Sequence, residues 1–424
     1  MTIQNFKLIK ANIQEVLILA VLFLLPFYFI KLKYGWVSLN LIEILIIALF
    51  FVWFFNKDKK FSILNSQFSI PAGLILLGVA SSILVNKNYY IGLGILKGWF
   101  ILPIIFAVIL YNNLKKDEKL LEKIFIALFA SGVFVAAEGI YFWFSGLLTY
   151  DGRLRIFFDS PNQLAMFLAP AFLIGILQLG KSLALMNCSG LDGTREKPIF
   201  GKKAELWKKV LAIAVMLFIS FSLYLTKSYG AWLATGLTLV AVFWLKYREK
   251  WSKKYLSIII ILCIILISLA GFGKFENIKK LGDRSSLASR EMIWKSAGLM
   301  IERNPVFGIG PGNFQKTYLE YQKYFPPYLE WAVPQPHNLY LAFWLESGLS
   351  GLIGFIWLLV LFFRDNKKAR EYNLETGLLC LAIILYFLIH GLVDTTYWRN
   401  DMAVIFWAVI VANLYISKQS DKVD

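Results

Sequence analysis

Again and again the chain runs for about twenty residues with almost nothing but apolar side chains, and this repetition limits the possible folds severely. A membrane-crossing helix needs about 20 such residues. The runs fall near 13–33, 38–55, 68–86, 91–112, 121–148, 161–180, 209–226, 229–246, 255–272, 337–363, 375–395 and 401–417. They predict an all-α polytopic membrane protein with about twelve transmembrane helices, because within a bilayer a helix satisfies its own backbone. Lys97 interrupts the 91–112 run, and only a short turn separates 209–226 from 229–246. Composition removes the soluble alternatives. The chain is 58% hydrophobic and 17% charged, against about 45–50% and about 25% in soluble proteins. A soluble enzyme, a disordered scaffold and a secreted disulfide module are excluded. Cys188, Cys263 and Cys380 show no CxxC or zinc spacing, so neither disulfides nor a cysteine metal site is expected. Lys7 and Lys10 precede a long apolar run without a small-residue cleavage site, which reads as a first membrane helix and not a cleaved leader.

A net charge of +17 would suggest nucleic acid in a soluble chain, but here the positive-inside rule accounts for most of it. Basic clusters recur in alternate connections: Lys57, Lys59 and Lys60; Lys115, Lys116, Lys119 and Lys123; the stretch 181–208; Lys246 to Lys254; and Arg364 to Arg370. Both termini are therefore expected in the cytoplasm, with 181–208 a cytoplasmic loop of a single membrane domain, 1–424. Segment 273–336 is then a long external loop. It is too aromatic to be disordered and is expected to hold short helices, one starting at Asp283–Ser286 with Met292, Trp294 and Leu299 as its buried face. No tandem repeat is visible.

The polar residues that stand out lie near the expected outer face. Asp151-Gly152-Arg153-Leu154-Arg155 is followed by Asp159-Ser160-Pro161-Asn162. Arginines there run against the basic bias and offer planar forks suited to phosphate, or else they snorkel to headgroups. Ser289-Arg290 and the run Asn304-Pro305-Val306-Phe307-Gly308-Ile309-Gly310-Pro311-Gly312-Asn313-Phe314 follow. Three alternate glycines can turn the backbone tightly against a ligand or another helix; without a Gly-Lys-Ser/Thr ending they make no P-loop. Then comes Pro334-Gln335-Pro336-His337-Asn338, where the long loop enters a membrane helix. A neutral imidazole at that boundary can take a proton from a hydroxyl; the plainer reading is an interfacial capping histidine. His390 precedes Asp394 by one helical turn, which predicts a structural His–Asp pair on helix 375–395. Glu138 and Glu346 are intramembrane acids read as structural, and Glu346 lies roughly 13 Å deeper than His337 along a helix.

Together these motifs resemble the O-antigen ligase and polymerase superfamily of membrane glycosyltransferases of the GT-C type. The resemblance rests on Ser289-Arg290-x-x-Ile293-Trp294, Asn304-Pro305-x-x-Gly308-x-Gly310-x-Gly312-x-Phe314 and Pro336-His337-Asn338-x-Tyr340-Leu341. The ligase pattern His-Asn-x9-Gly-x2-Gly is met by His337, Asn338, Gly348 and Gly351, and Gly152-Arg153 with Pro161-Asn162-Gln163 fits the family's outer loop. The resemblance implies a donor glycan on undecaprenyl diphosphate, an inverting transfer at the outer face of a bacterial cytoplasmic membrane, and no metal or other cofactor. It implies His337 as general base and Arg290 as the catalytic diphosphate ligand, with Arg153, Arg155, Lys227, Tyr229 and Asn338 in substrate binding. Where many members carry Ser-Arg, this chain reads Lys227-Ser228-Tyr229, so Lys227 is left to supply that charge. An Arg-x10-Gly match at Arg290, a polymerase trait, is missing, which favours a ligase.

Ligase, polymerase and protein O-glycosyltransferase remain open, since acceptors change readily on one fold; the acceptor is lipid A core, a further glycan unit or a protein hydroxyl. A lipid-linked glycan transporter is the alternative class, and a membrane scaffold a third. A transporter should hold its substrate near the midplane, whereas the polar groups here sit at one face.

Overall fold

A computed structural model describes residues 3–35, 37–56, 67–188, 199–247, 286–326 and 333–422. The protein is mostly helical. Helix α1 (Ile3–Phe23) leads through a single 3-10 turn (Leu25–Phe29) to an antiparallel hairpin, β1 (Lys31–Tyr34) and β2 (Val37–Asn40), in which Lys31 pairs with Asn40. Then follow α2 (Leu41–Phe54), α3 (Ser69–Asn86), α4 (Tyr89–Leu114), α5 (Leu120–Phe144), α6 (Pro161–Cys188), α7 (Ile199–Leu225) and α8 (Tyr229–Tyr247). Two short helices, α9 (Ser286–Arg303) and α10 (Phe314–Tyr321), precede α11 (Leu339–Tyr372), α12 (Leu374–His390) and α13 (Asn400–Ser420). Among the described residues seven helices are long and apolar enough to cross a membrane, and four shorter apolar helices accompany them. The expected span 255–272 lies outside the described residues, as do 273–285 and 327–332 of the long loop.

Three expectations need correcting. The run 13–33 is helical only to Phe23; Pro26 then sits at the start of the 3-10 turn, where a missing N–H is tolerated, and the chain turns into a hairpin. The structure is therefore not wholly α. The run 375–395 ends as a helix at His390, and Gly391 begins a loop that lasts to Arg399. On α9 the buried face is Met292, Ile293, Ala297 and Met300, with Trp294 only partly buried against it and Leu299 half-buried.

Local chemistry sets the helix ends. Asn40 and Glu43 form a reciprocal capping box on α2, and Asn338 caps α11 by accepting from the N–H groups of Tyr340 and Leu341. Such side chains satisfy N-terminal donors that a helix leaves unpaired. At the core lies α13, buried along nearly its whole length, as expected of a helix apolar on all sides. α11 packs along α3 and α13. Its approach to α3 is close: a Cβ on Gly78 would lie 2.4 Å from the Gly351 nitrogen.

The glycine run 304–314 docks into a break in α11. Gly348 there has φ +66° and ψ −175°, a conformation open only to glycine. Leu349 N–H donates to Val306 O at 2.8 Å, and Ile309 N–H to Leu345 O at 2.7 Å. Gly308, Gly310 and Gly312 all have positive φ, and a Cβ on Gly308 would sit 2.2 Å from Leu345 O. Buried Glu346 accepts from Gly312 N–H at 3.3 Å. These glycines thus meet another helix, and Glu346 fastens them.

Candidate active site

The loop 391–399 collects the polar groups that the sequence scatters. Successive residues of it are held by different elements. Leu339 N–H donates to Gly391 O at 2.7 Å. Asn338 Nδ2 donates to Leu392 O at 3.0 Å, and Arg290 Nε to Val393 O at 2.9 Å. Asp394 Oδ1 lies 3.1 Å from His337 Nδ1, and Thr395 donates its hydroxyl to Gln335 Oε1. So α9, the segment before α11, and α11 itself all converge on one short stretch.

His337 has φ +48°, a conformation that costs a non-glycine residue about 1–3 kcal/mol and clusters at functional positions. Trp294 Nε1 holds the preceding carbonyl, Pro336 O, at 3.1 Å. The His337 side chain is 33% exposed while Asp394 is 4% exposed. Asp394 also accepts from Thr395 N–H at 2.9 Å and from Asn162 Nδ2 at 3.1 Å. Burial alone would raise the Asp394 pKa, but the charge and hydrogen bond of His337, with His390 and Arg290, hold it well below the usual carboxylate range. An ionised carboxylate only accepts. The proton of this contact therefore sits on His337 Nδ1, and in the neutral form of the ring Nε2 is the nitrogen that can accept one.

A second chain of contacts reaches Asp394 from the opposite direction. Arg153 Nη2 donates to Asn162 Oδ1 at 2.7 Å, and its Nε to Thr226 O at 2.8 Å. Asp151 lies 3.9 Å away. Burial lowers the Arg153 pKa, Asp151 opposes this, and Tyr229, Arg290 and Asp394 act on it electrostatically. Lys227, with φ +48°, brings its Nζ to 3.5 Å from where a Cβ on Gly152 would lie. Arg153 and Arg290 thus lie in the electrostatic reach of Asp394, Tyr229 in that of Arg153, and Lys227 stands beside Gly152 next to Arg153. Arg155 is separated from Arg153 by buried Leu154 and is exposed; no contact ties it to the cluster among the described residues. The Asn338 amide is engaged at both ends, capping α11 and holding Leu392, so its visible role is to shape the site.

The expected His390–Asp394 pair interacts electrostatically but makes no side-chain hydrogen bond. His390 is buried with its Nδ1 2.9 Å from the Tyr386 hydroxyl, while Asp394 has left the helix and turned to His337. The one-turn backbone spacing survives, with Asp394 N–H donating to His390 O at 3.0 Å, but the carboxylate is taken up by His337, Thr395 and Asn162 while the imidazole meets Tyr386. Asp394 as partner of His337, and Asn162 as its link to Arg153, are site residues that sequence spacing does not disclose. Gly391, directly after an apolar periodic run, is the available signal for the helix end.

Comparison with known proteins points to one family. Residues 214–356 match the O-antigen ligase family, a stretch that contains Lys227, Tyr229, Arg290 and His337 but neither Arg153, Asn162 nor Asp394. An uncharacterized protein of Haemophilus influenzae is 26% identical over 197 residues, covering 42% of this chain and 48% of the relative. The match therefore spans about half the length of that curated relative. Over residues 214–356, about a third of its length, the chain is similar to the O-antigen ligase family, and the structure brings motifs from that stretch together in space.

Proposed function

We propose that the protein is an inverting glycosyltransferase that moves a glycan from undecaprenyl diphosphate to an acceptor hydroxyl at the outer face of the bacterial cytoplasmic membrane. The observation that carries this reading is the His337–Asp394 pair, 3.1 Å apart, with Arg290 and Arg153 acting on Asp394 electrostatically. In this mechanism the acceptor O–H gives its proton to His337 Nε2 as its oxygen bonds to the anomeric carbon. The bond from that carbon to the diphosphate oxygen breaks on the opposite face, and the diphosphate leaves with the electron pair. Asp394 stabilises the imidazolium that forms. Arg290, Arg153 and Lys227 neutralise the departing charge, the role a divalent cation plays in other phosphate-releasing enzymes. The leaving group is already activated, so positioning, charge and one proton acceptor suffice.

The broken helix at Gly348 gives the transporter reading little support. Transporters use such breaks to coordinate cargo with freed backbone groups. At Gly348 the surrounding groups are occupied by Val306, Ile309 and Gly312.

The test is a detergent assay of purified protein with undecaprenyl-diphosphate-linked oligosaccharide, EDTA and a panel of acceptors: a lipid A core, a further glycan unit and a hydroxyl-bearing peptide. We expect acceptor-dependent release of undecaprenyl diphosphate that requires His337, and the productive acceptor separates ligase from polymerase and protein O-glycosyltransferase. Loss of activity in EDTA with recovery on divalent metal would overturn the metal-free chemistry. Protein-dependent movement of the lipid across liposomes with no release would overturn the transferase.

A further inference from the structure

At the same end of the bundle, apart from His337, a cavity of about 670 Å3 lies between the hairpin, the first turn of α2, the first half of α4 and the start of α13. Its polar end is organised around Glu43, buried and engaged on both oxygens. Oε2 accepts from Asn40 N–H at 3.1 Å and from Lys97 Nζ at 2.9 Å; Oε1 lies 3.4 Å from Asn400 Nδ2. Lys97 also donates to Ser38 O at 2.6 Å. An ammonium has three protons, so one remains uncommitted. Lys31, exposed on the hairpin, forms no ion pair among the described residues. Two lysines thus line the cavity with one saturated carboxylate, and the spare charge is positive. Lys97 sits in a π turn, Leu96–Ile101, a rare geometry that recurs at functional sites.

The other wall is apolar and uncovered. Tyr90, Ile91 and Leu93 are 63%, 50% and 52% exposed. Three glycines on this helix make the point sharper. A Cβ on Gly92 would meet Ile83 at 2.8 Å and one on Gly98 would meet Glu43 at 2.3 Å, so both make room for protein. A Cβ on Gly94, which lines the cavity, would meet nothing within 4 Å. Glycine within a helix costs about 1 kcal/mol relative to alanine, and here no neighbour in the protein requires it.

We infer that this cavity is a binding site for an anionic phospholipid of the surrounding bilayer. Its phosphate is held by Lys31 and Lys97, and an acyl chain lies along Tyr90, Ile91 and Leu93 over the space kept by Gly94. Basic pockets between membrane helices take such headgroups by charge, while the apolar wall takes the chain. The assignment requires nothing of the glycosyl-transfer reading. It gives the protein a second lipid contact, beside Asn400 and therefore next to the loop that holds Asp394.

Native mass spectrometry of the full chain, released from detergent with equal phosphatidylglycerol and phosphatidylcholine, tests this directly. Phosphatidylglycerol should be retained at least several-fold over phosphatidylcholine and should raise the Tm by mass action. Gly94→Ala should keep that preference and Gly94→Trp should abolish retention. Lys31→Glu, an exposed change on the hairpin, should erase the preference by charge, which decides the matter even if Gly94→Trp fails to fold. Equal retention of the two lipids by the wild type, or unchanged retention in Lys31→Glu, would overturn the site. Displacement of phosphatidylglycerol by an equal amount of a polyprenyl diphosphate would also overturn it, reassigning the cavity to the donor.

Discussion

The polar motifs on either side of α10 use opposite chemistry. At 304–314 the work is done by backbone: glycines with positive φ slip into the break at Gly348, and Leu345, Val306 and Glu346 close the hydrogen bonds. At 335–338 the work is done by side chains: His337, Asn338 and Gln335 each grip the 391–395 loop. One motif needs the absence of a Cβ, the other needs particular functional groups. A region of the first kind fixes position, and a region of the second kind can carry a reaction. Substitutions should therefore separate the two, activity falling far more than stability at one and stability falling first at the other.

The largest effect is expected at His337. Removing a general base typically costs 10²–10⁴-fold, so His337→Ala should lose roughly 10³-fold or more of acceptor-dependent diphosphate release, with membrane expression retained and a lower Tm because the buried Asp394 carboxylate loses its partner. A fully active alanine variant would leave the site without a base. Asp394→Asn should cost about 10²-fold in kcat, because the amide no longer fixes the proton on Nδ1. It also has a pH signature. The Asp394 pKa is lowered by folding, so its stabilising contribution is complete above the ordinary carboxylate value of about 3.9 and fades as pH falls through the lowered value. The Tm gap between wild type and Asp394→Asn should be widest near neutral pH and should narrow below about pH 4. A constant gap down to the acid limit would deny the carboxylate this role.

Much of this site is legible in the amino-acid sequence. Arg153, Arg290 and His337 stand out because charge and imidazole are rare beside apolar runs, and the membrane helices follow from the length of those runs. Pairing across distance is what a sequence does not display. Helical spacing is the only geometry it shows locally, so Asp394 reads as the partner of His390, whereas His337 approaches Asp394 from 57 positions away. Asn162 is visible as part of a motif, but its bridging of Arg153 and Asp394 depends on how α6 sits against the loop. The hairpin at 31–40 is hidden for a different reason: Phe27 to Ile30 extend the apolar run past the true helix end, so hydrophobicity outlasts the helix.

Arg290→Lys tests the boundary between the two kinds of region, since Arg290 both faces the charged cluster and holds Val393 O. Hydrogen bonds to charged groups are worth about 1.5–3 kcal/mol, and lysine cannot reproduce the planar fork. The donor KM should rise roughly tenfold or more, with a smaller loss in kcat from the loosened loop. Unchanged donor KM would remove Arg290 from diphosphate binding and leave it a purely structural tie.

The smallest effects distinguish glycines by the space around them. Gly308→Ala combines a positive φ with a Cβ 2.2 Å from Leu345 O, and strain of both kinds predicts a loss of about 1–3 kcal/mol, read as a lower Tm in detergent. Because the docked run lies beside α11 and not in the His337 cluster, the fraction that stays folded should keep a near-normal kcat. Gly298→Ala on α9 is the counterpart: a Cβ there meets nothing within 4 Å, and the gain in helix propensity should stabilise the protein by up to about 1 kcal/mol. If both glycines behaved alike, the backbone docking of 304–314 would count for no more than an ordinary helix surface, and the contrast with the side-chain region would collapse.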